Sequence, residues 1–289
     1  MNTYIKKLFF LFLTVSLQHF VVIAQVTSPN DDDVIKILAI GNSFSEDGIE
    51  NYLHELTSAA DEKIIIGNLY IGGAPLSLHV KNANEDAKKY NYRKIAIDGK
   101  KTITNDVSIS QALRDENWDY ISFQQASPLS GKYDVIMESL PELVRYVRSR
   151  THSDAHFVYH QTWAYQHDSN HDGFKNYNRD QQTMYKAIVD ASKRVNTSGN
   201  FKYIIPAGTA IQNARTSSLG DTFTRDGYHL QLDYGRFTAA CTWYEKILGK
   251  DVRKNPYKPV KVTNTQAEIA KQAAHKAVKK PYKVSRIKL

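Results

Sequence analysis

The chain has 289 residues, enough for one sizeable α/β domain with its own core and marginal for two. With 42% apolar and 24% charged residues it reads as a globular protein, not as a disordered or fibrous one. Its net charge of +8 is unevenly placed: residues 246–289 hold 13 Lys or Arg against 2 Asp or Glu, which leaves the rest slightly acidic. A basic end of this kind suits nucleic acid, an anionic membrane, an acidic polysaccharide or simply a solvated face. Aromatic residues are sparse there and no nucleic-acid motif appears, so no nucleic-acid partner is expected.

The first 25 residues differ from the others. Lys6 and Lys7 precede an apolar run over residues 8–17 and a second over 20–24, separated by Gln18 and His19. With Val22-Ile23-Ala24 ahead of Gln25, this is the pattern of a signal peptide (residues 1–25), and the run is short for a membrane span. The expectation is a secreted or periplasmic protein with no stable membrane insertion once the signal is removed. No Cys stands at the cut to carry a lipid.

A polar, acidic linker over residues 26–33 leads into the domain. Residues 34–40 read as a buried strand ending at Gly41, and 46–60 as a helix. A second strand over 63–71 ends in Gly72-Gly73, and 76–90 reads as helical. Residues 92–104 suit a hairpin turning at Asp98-Gly99. A helix over 109–116 and a core strand over 120–123 follow. Next come a helix over 135–150, a strand over 155–159, a helix over 179–195 and a strand over 201–205. The last core helix spans 234–248 and contains the single cysteine, Cys241, which reads as buried packing and can form no intramolecular disulfide. Strands alternating with helices predict a parallel sheet covered on both faces, within one α/β domain over residues 34–249. Residues 250–289 form a basic C-terminal extension, with a helix over 265–279 stopped by Pro281.

The sharpest local feature is Gly41-Asn42-Ser43-Phe44-Ser45, directly after the first strand. In open α/β sheets, ligands bind at the carboxyl ends of the strands. Gly41 permits a tight turn and the helix that follows points N–H groups at the same spot. Alone, Ser43 or Ser45 would be read as a helix cap. The second feature is Asp226-Gly227-Tyr228-His229, an acid and a histidine three apart before the last core helix. A serine hydroxyl needs a base, and the base needs an acid to fix its tautomer and stabilise the imidazolium. The two motifs together supply Ser43 as nucleophile, His229 as base and Asp226 as orienting acid, with Ser45 as rival nucleophile. Gly41-x-Ser43-x-Ser45 lacks the second glycine of the α/β-hydrolase elbow, and no strand is followed by a dinucleotide or phosphate-binding fingerprint.

In these blocks the chain resembles the SGNH (GDSL-like) hydrolase superfamily, over most of residues 34–248. The family's Gly-Asp-Ser reads here as Gly41-Asn42-Ser43, and its Asp-x-x-His as Asp226-Gly227-Tyr228-His229. It looks most like a branch of exported bacterial members with Gly-Asn-Ser-Phe-Ser, Gln-Gln-x-Ser and Asp-Gly-x-His. The resemblance implies a single three-layer α/β/α domain with a flavodoxin-like parallel sheet, and a serine esterase that needs no cofactor. It implies an oxyanion site built from the N–H groups of Ser43 and Gly73 (or Gly72). Where the family has Gly-x-Asn-Asp, this chain has Gln124-Gln125-Ala126-Ser127. A Gln amide offers the same donor on a longer arm, so Gln125 or Gln124 is a candidate third donor, with two backbone donors as the alternative.

Five histidines, His152, His156, His160, His167 and His171, fall within 20 residues. No acidic pattern matches a hydrolytic metal motif, so the reading is metal-free. Asp168-Ser169-Asn170-His171-Asp172-Gly173 copies the first half of a calcium loop, but the twelfth position, Glu in such loops, is Arg179. Trp163 and Tyr165, after the 155–159 strand, are sugar-stacking candidates. With Asn42, Gln124 and Ser127, Trp163 completes the expected substrate-binding set. The expected substrate is a small-molecule or polysaccharide ester, in first place an O-acetylated glycan. Alternatives are a lipid esterase or thioesterase, for which no apolar lid stands out, and a non-catalytic glycan-binding protein.

Overall fold

A computed structural model describes residues 33–289. The expected signal peptide and all but the last residue of the expected linker lie outside the described residues. Seven strands form one sheet in the order β4-β3-β2-β1-β5-β6-β7. They are β1 (Val34–Gly41), β2 (Lys63–Tyr70), β3 (Tyr90–Ile95), β4 (Lys101–Val107), β5 (Tyr120–Phe123), β6 (His156–His160) and β7 (Tyr203–Ile205). β2, β1, β5, β6 and β7 are parallel; β3 and β4 add an antiparallel hairpin at the β2 edge, turning at Gly99 with φ +79°. The parallel strands therefore follow the flavodoxin-like order, and strand order reverses between β1 and β5.

β1 and β2 are nearly continuous apolar runs because both sheet faces are covered. Alternate residues part company: Leu38 and Ile40 pack under one helical layer, Ile37 and Ala39 under the other. The first layer contains α3 (Leu76–Asn84), α4 (Ile109–Leu113), α5 (Tyr133–Arg148) and part of α6 (Gln181–Thr197). The second contains α1 (Ser43–Ile49), α2 (Leu53–Ser58), α8 (Tyr234–Leu248) and α9 (Asn264–Lys279). The three-layer α/β/α domain expected from the sequence is what forms. Among the described residues no helix is long and apolar enough to cross a membrane.

Three local expectations need correction. The helix expected over 46–60 starts earlier, at Ser43, and breaks at Tyr52, whose φ is +69°. The one expected over 76–90 stops at Asn84; Asp86 turns left-handed, its carboxylate held by the Ser110 hydroxyl at 2.6 Å, and Tyr90 enters β3. A helix that was not expected, α7 (Ala207–Ala214), follows β7. All eight of its residues are buried, the polar Thr209, Gln212 and Asn213 among them, so no face of it is exposed.

The segment after Gly249, read as a basic extension, contributes core. Ile269, Ala270, Ala273, Ala274 and Ala277 of α9 are buried, the first four in the clusters that also hold α7 and α8. Asn213 of α7 donates to the Ala273 carbonyl at 3.1 Å and accepts from the Ser285 N–H at 2.6 Å.

Candidate active site

β1 delivers its last residue to the reversal point, and the chain turns at once into α1. A Cβ at Gly41 would lie 2.5 Å from the Ser45 hydroxyl and 3.1 Å from the Gln124 amide carbon, so only glycine allows the turn. Asn42 is extended and caps the helix: its Oδ1 accepts from the Phe44 N–H at 3.0 Å. Ser43 is thus the first helical residue, where the N–H has no intrahelical acceptor and the helix dipole favours negative charge.

A buried chain of hydrogen bonds holds this turn. His160 Nδ1 meets Gln124 Oε1 at 2.9 Å, Gln124 Nε2 donates to Asn42 Oδ1 at 2.8 Å, and Asn42 Nδ2 donates to the Ala74 carbonyl at 3.0 Å. The Gln124 oxygen can only accept, which puts the ring proton of His160 on Nδ1. Burial pushes the His160 pKa down to about 3, so the ring stays neutral. The chain links β6, β5 and the nucleophile turn to the Gly72-Gly73-Ala74 loop.

The candidate base, His229, arrives on the loop before α8. His229 Nε2 lies 2.8 Å from Ser43 Oγ, and His229 Nδ1 lies 2.7 Å from Asp226 Oδ2. Asp226 Oδ1 also accepts from the N–H groups of His229 at 2.8 Å and Tyr228 at 3.2 Å. Burial works against ionisation of Asp226, but the bonds from the His229 ring and these N–H groups outweigh it and hold the carboxyl below its usual range. Gly227 makes the bend with φ +89°. Beneath the loop, fully buried Asp47 of α1 accepts from Arg225 at 3.1 Å, the Leu230 N–H at 2.8 Å and Arg236 Nε at 2.7 Å. One buried carboxylate therefore ties the helix that begins at Ser43 to the loop that carries His229.

Above the pair lies a cleft of about 430 Å³, lined among others by Ser43, Tyr70, Gly73, Ser127, His171 and Tyr228. Gly73 has φ +65°, and a Cβ there would meet nothing within 4 Å, so the cleft reaches the backbone directly. His171 accepts from the Gly173 N–H at its Nδ1 (3.0 Å), which places its proton on Nε2 at the cleft wall. Burial, partly offset by Asp172, holds His171 below the usual histidine range and favours the neutral ring.

The structure thus brings together Ser43, His229, Asp226, Asn42, Gly73 and Ser127. Ser45 turns away and is buried, its hydroxyl proton lying between two acceptors, the Asn42 carbonyl at 2.7 Å and Asn68 Oδ1 at 2.9 Å. Gln124 and Gln125 sit behind the cleft wall; Gln125 accepts from the N–H groups of Leu76 and Ala126 and braces the loops. Ser127 is bonded to the Tyr165 hydroxyl at 2.8 Å. The expectation for Trp163 is overturned. It is fully buried, stacked on Phe44 at 4.5 Å, and its Nε1 donates to the Tyr228 carbonyl at 2.7 Å, so it props the base loop and has no face for a sugar. Tyr165 is buried as well.

The five histidines are dispersed among separate partners: His152 bonds to the Trp118 carbonyl and His167 to Asp221. In the calcium-like loop Asp172 is paired with Lys175 and Arg179 donates to the Ser169 carbonyl. Among the described residues the one group spaced for a metal is Glu245, Asp251 and His275, where His275 already bonds Glu245 and Asp251 holds Arg253. Asp47, Arg225 and His171 are the site residues that sequence reasoning missed. The carboxylate's place four residues after Ser43, on the same helical face, was the available signal for Asp47.

A likeness at 53% identity joins the chain to a crystal structure of a DUF4886 family protein from Bacteroides uniformis ATCC 8492, with TM-score 0.87 over 88% of this chain and 98% of that one. Two remoter structures are TesA (11% identity, TM-score 0.44, 76% of this chain and 98% of that one) and a mutant of Axe2, an acetyl-xylooligosaccharide esterase from Geobacillus Stearmophilus (14%, 0.42, 78% and 95%). No curated protein matches. The family model "Domain of unknown function (DUF4886)" matches residues 36–277, and the chain belongs to that family.

Proposed function

We propose that this protein is a serine ester hydrolase of the SGNH type that removes short acyl groups, acetyl foremost, from glycans. One observation carries the reading: Ser43 Oγ, His229 and Asp226 stand in hydrogen-bonded sequence at 2.8 Å and 2.7 Å, on the floor of a cleft. In the reaction, Ser43 Oγ attacks the ester carbonyl carbon while His229 Nε2 takes its proton. The carbonyl electron pair moves onto oxygen, held by the N–H groups of Ser43 and Gly73. The tetrahedral intermediate collapses, the carbon–oxygen bond to the alcohol breaks, and His229 returns the proton to that oxygen. Water, deprotonated by His229, then releases the acid and restores Ser43.

The cleft favours a small acyl group and a polar alcohol. Its volume is about 430 Å³, and beside it lies a second groove of about 530 Å³ lined by Gln166, Asp168, Asn170 and Thr224, sharing His171, Arg225 and Tyr228 with the first. Hydroxyl-rich leaving groups suit such walls better than a lipid chain. Export, expected from the first 25 residues, fits a polymeric substrate.

The test is hydrolysis of p-nitrophenyl acetate, butyrate and octanoate by residues 26–289, beside Ser43→Ala. The expected result is turnover that falls with chain length and drops on the order of 10⁴-fold or more in the variant. Preference for octanoate would transfer the reading to lipids or thioesters. Equal activity in the variant would remove Ser43 from the mechanism. If acetate is released neither from these esters nor from acetylated polysaccharides, the chain is a glycan-binding protein.

A further inference from the structure

The charge surplus of the last 44 residues is gathered around one concavity. The C-terminal half of α9 and the chain that returns alongside it enclose a groove of about 510 Å³. Six cationic side chains line it: Arg253, Lys276, Lys279, Lys280, Lys283 and Arg286; no carboxylate does. Lys276 and Lys279 stand one turn apart on α9, Lys280 caps the helix, and Lys283 and Arg286 continue the row on the chain beyond it. Lys276 donates to the Arg286 carbonyl at 2.7 Å, which closes the groove across its width.

Among the described residues, five of these six charges have no carboxylate partner. Asp251, the nearest acid in sequence, is taken by Arg253 at 2.6 Å, and Glu245 by His275 at 2.8 Å. Among the described residues no carboxylate pairs with Lys279, Lys280, Lys283 or Arg286, although many other basic side chains do find one. Burial and the neighbouring Lys279 hold Lys246, on the adjoining helix, below the usual lysine range. A row of like charges folded into a cleft repels itself and focuses a positive potential there, and an anion is what relieves it.

We propose that this groove is a binding site for a linear acidic polysaccharide, separate from the Ser43 cleft and independent of whether that cleft hydrolyses esters. The row of charges suits a chain whose carboxylates recur along its length. Single-stranded nucleic acid is the poorer fit, because no aromatic side chain lines the groove for base stacking and the phosphate-matching guanidinium is the minority group. A membrane is poorer too, because the charges line the walls of a cleft in which Val284 is the one apolar residue.

The experiment is fluorescence-polarisation binding of labelled polygalacturonate to residues 26–289, with dextran, oligothymidylate and phosphatidylglycerol vesicles as competitors. Two charge reversals are compared: Lys279→Glu/Lys280→Glu/Lys283→Glu in the groove, and Lys88→Glu/Lys89→Glu/Lys100→Glu far from it in sequence, with circular dichroism to confirm the fold. The expected result is polygalacturonate binding that weakens with salt, resists dextran, falls tenfold or more in the groove variant and holds in the control. Equal loss in both variants would mean net charge alone and overturn the proposal. So would tighter binding of oligothymidylate or vesicles, or no binding at low salt. Ester hydrolysis, measured in parallel, should be the same in both variants, so failure here and failure of the esterase reading are separate results.

Discussion

His160, Gln124 and Asn42 make no contact with a reacting atom, yet they set where Ser43 and the Ala74 loop stand relative to each other. Gln124→Met keeps the volume but leaves the His160 Nδ1–H and one lone pair of Asn42 unpaired in the interior. We expect a loss of about 1–3 kcal/mol in chemical denaturation, and kcat lower by about 10–100-fold with KM little changed. His160 also gives the protein an acid limb. Its folded pKa, about 3, lies below the ordinary histidine value of about 6.5. The unfolded chain therefore binds a proton that the folded one refuses. Stability is complete above about pH 6.5 and is lost as pH falls from there towards 3, by up to ~1.4 kcal/mol per pH unit from this residue. His160→Gln should show a shallower decline of ΔG between pH 6.5 and 4 than the wild type; parallel curves would mean that the ring titrates freely. The hydrogen-bonded set of Ser43, His229 and Asp226 was legible in the sequence because Asp226 and His229 are near neighbours and Ser43 closely follows a recognisable strand. Trp163 was misread because residue type and position in the chain do not tell which face a side chain presents.

Among the elements, α1 has two duties. Its first residue is Ser43, the proposed nucleophile, and one turn on, Asp47 receives Arg225, Arg236 and the Leu230 N–H. Asp47→Asn would leave two guanidinium groups without their buried counter-charge. The expected cost is about 3 kcal/mol or more, measured by urea unfolding, together with a lower kcat because the His229 loop loses its tie to α1. Unchanged kinetics in a folded Asp47→Asn protein would show that the loop is held by Trp163 and Asp226 alone. The strands were legible because burial on both faces produces long apolar runs, as in residues 34–40 and 63–70. The break at Tyr52 and the early end of α3 were not. A left-handed residue other than glycine is chosen by surrounding contacts, as at Asp86, and carries no local mark.

On the scale of the whole molecule, α9 closes the second helical layer, with Ile269, Ala270, Ala273, Ala274 and Ala277 buried against the rest. A chain ending at residue 263 would expose the matching faces of α7 and α8. It should unfold without a cooperative thermal transition, monitored by circular dichroism; a sharp transition in the truncated chain would show that residues 34–249 stand alone. By itself the sequence determined the parallel sheet and its two covering layers, which follow from apolar period, and it singled out Ser43, Asp226 and His229 through two short motifs at opposite ends of the domain and their resemblance to a known family. It also determined that the C-terminal segment is basic. Only the tertiary structure decided that this segment is core on one face and a cationic groove on the other, that α7 is a helix, and that His171 and Asp47 belong to the site. Those outcomes depend on contacts between residues far apart in the chain, and burial, tautomer and charge pairing are set by such contacts, not by neighbours in sequence.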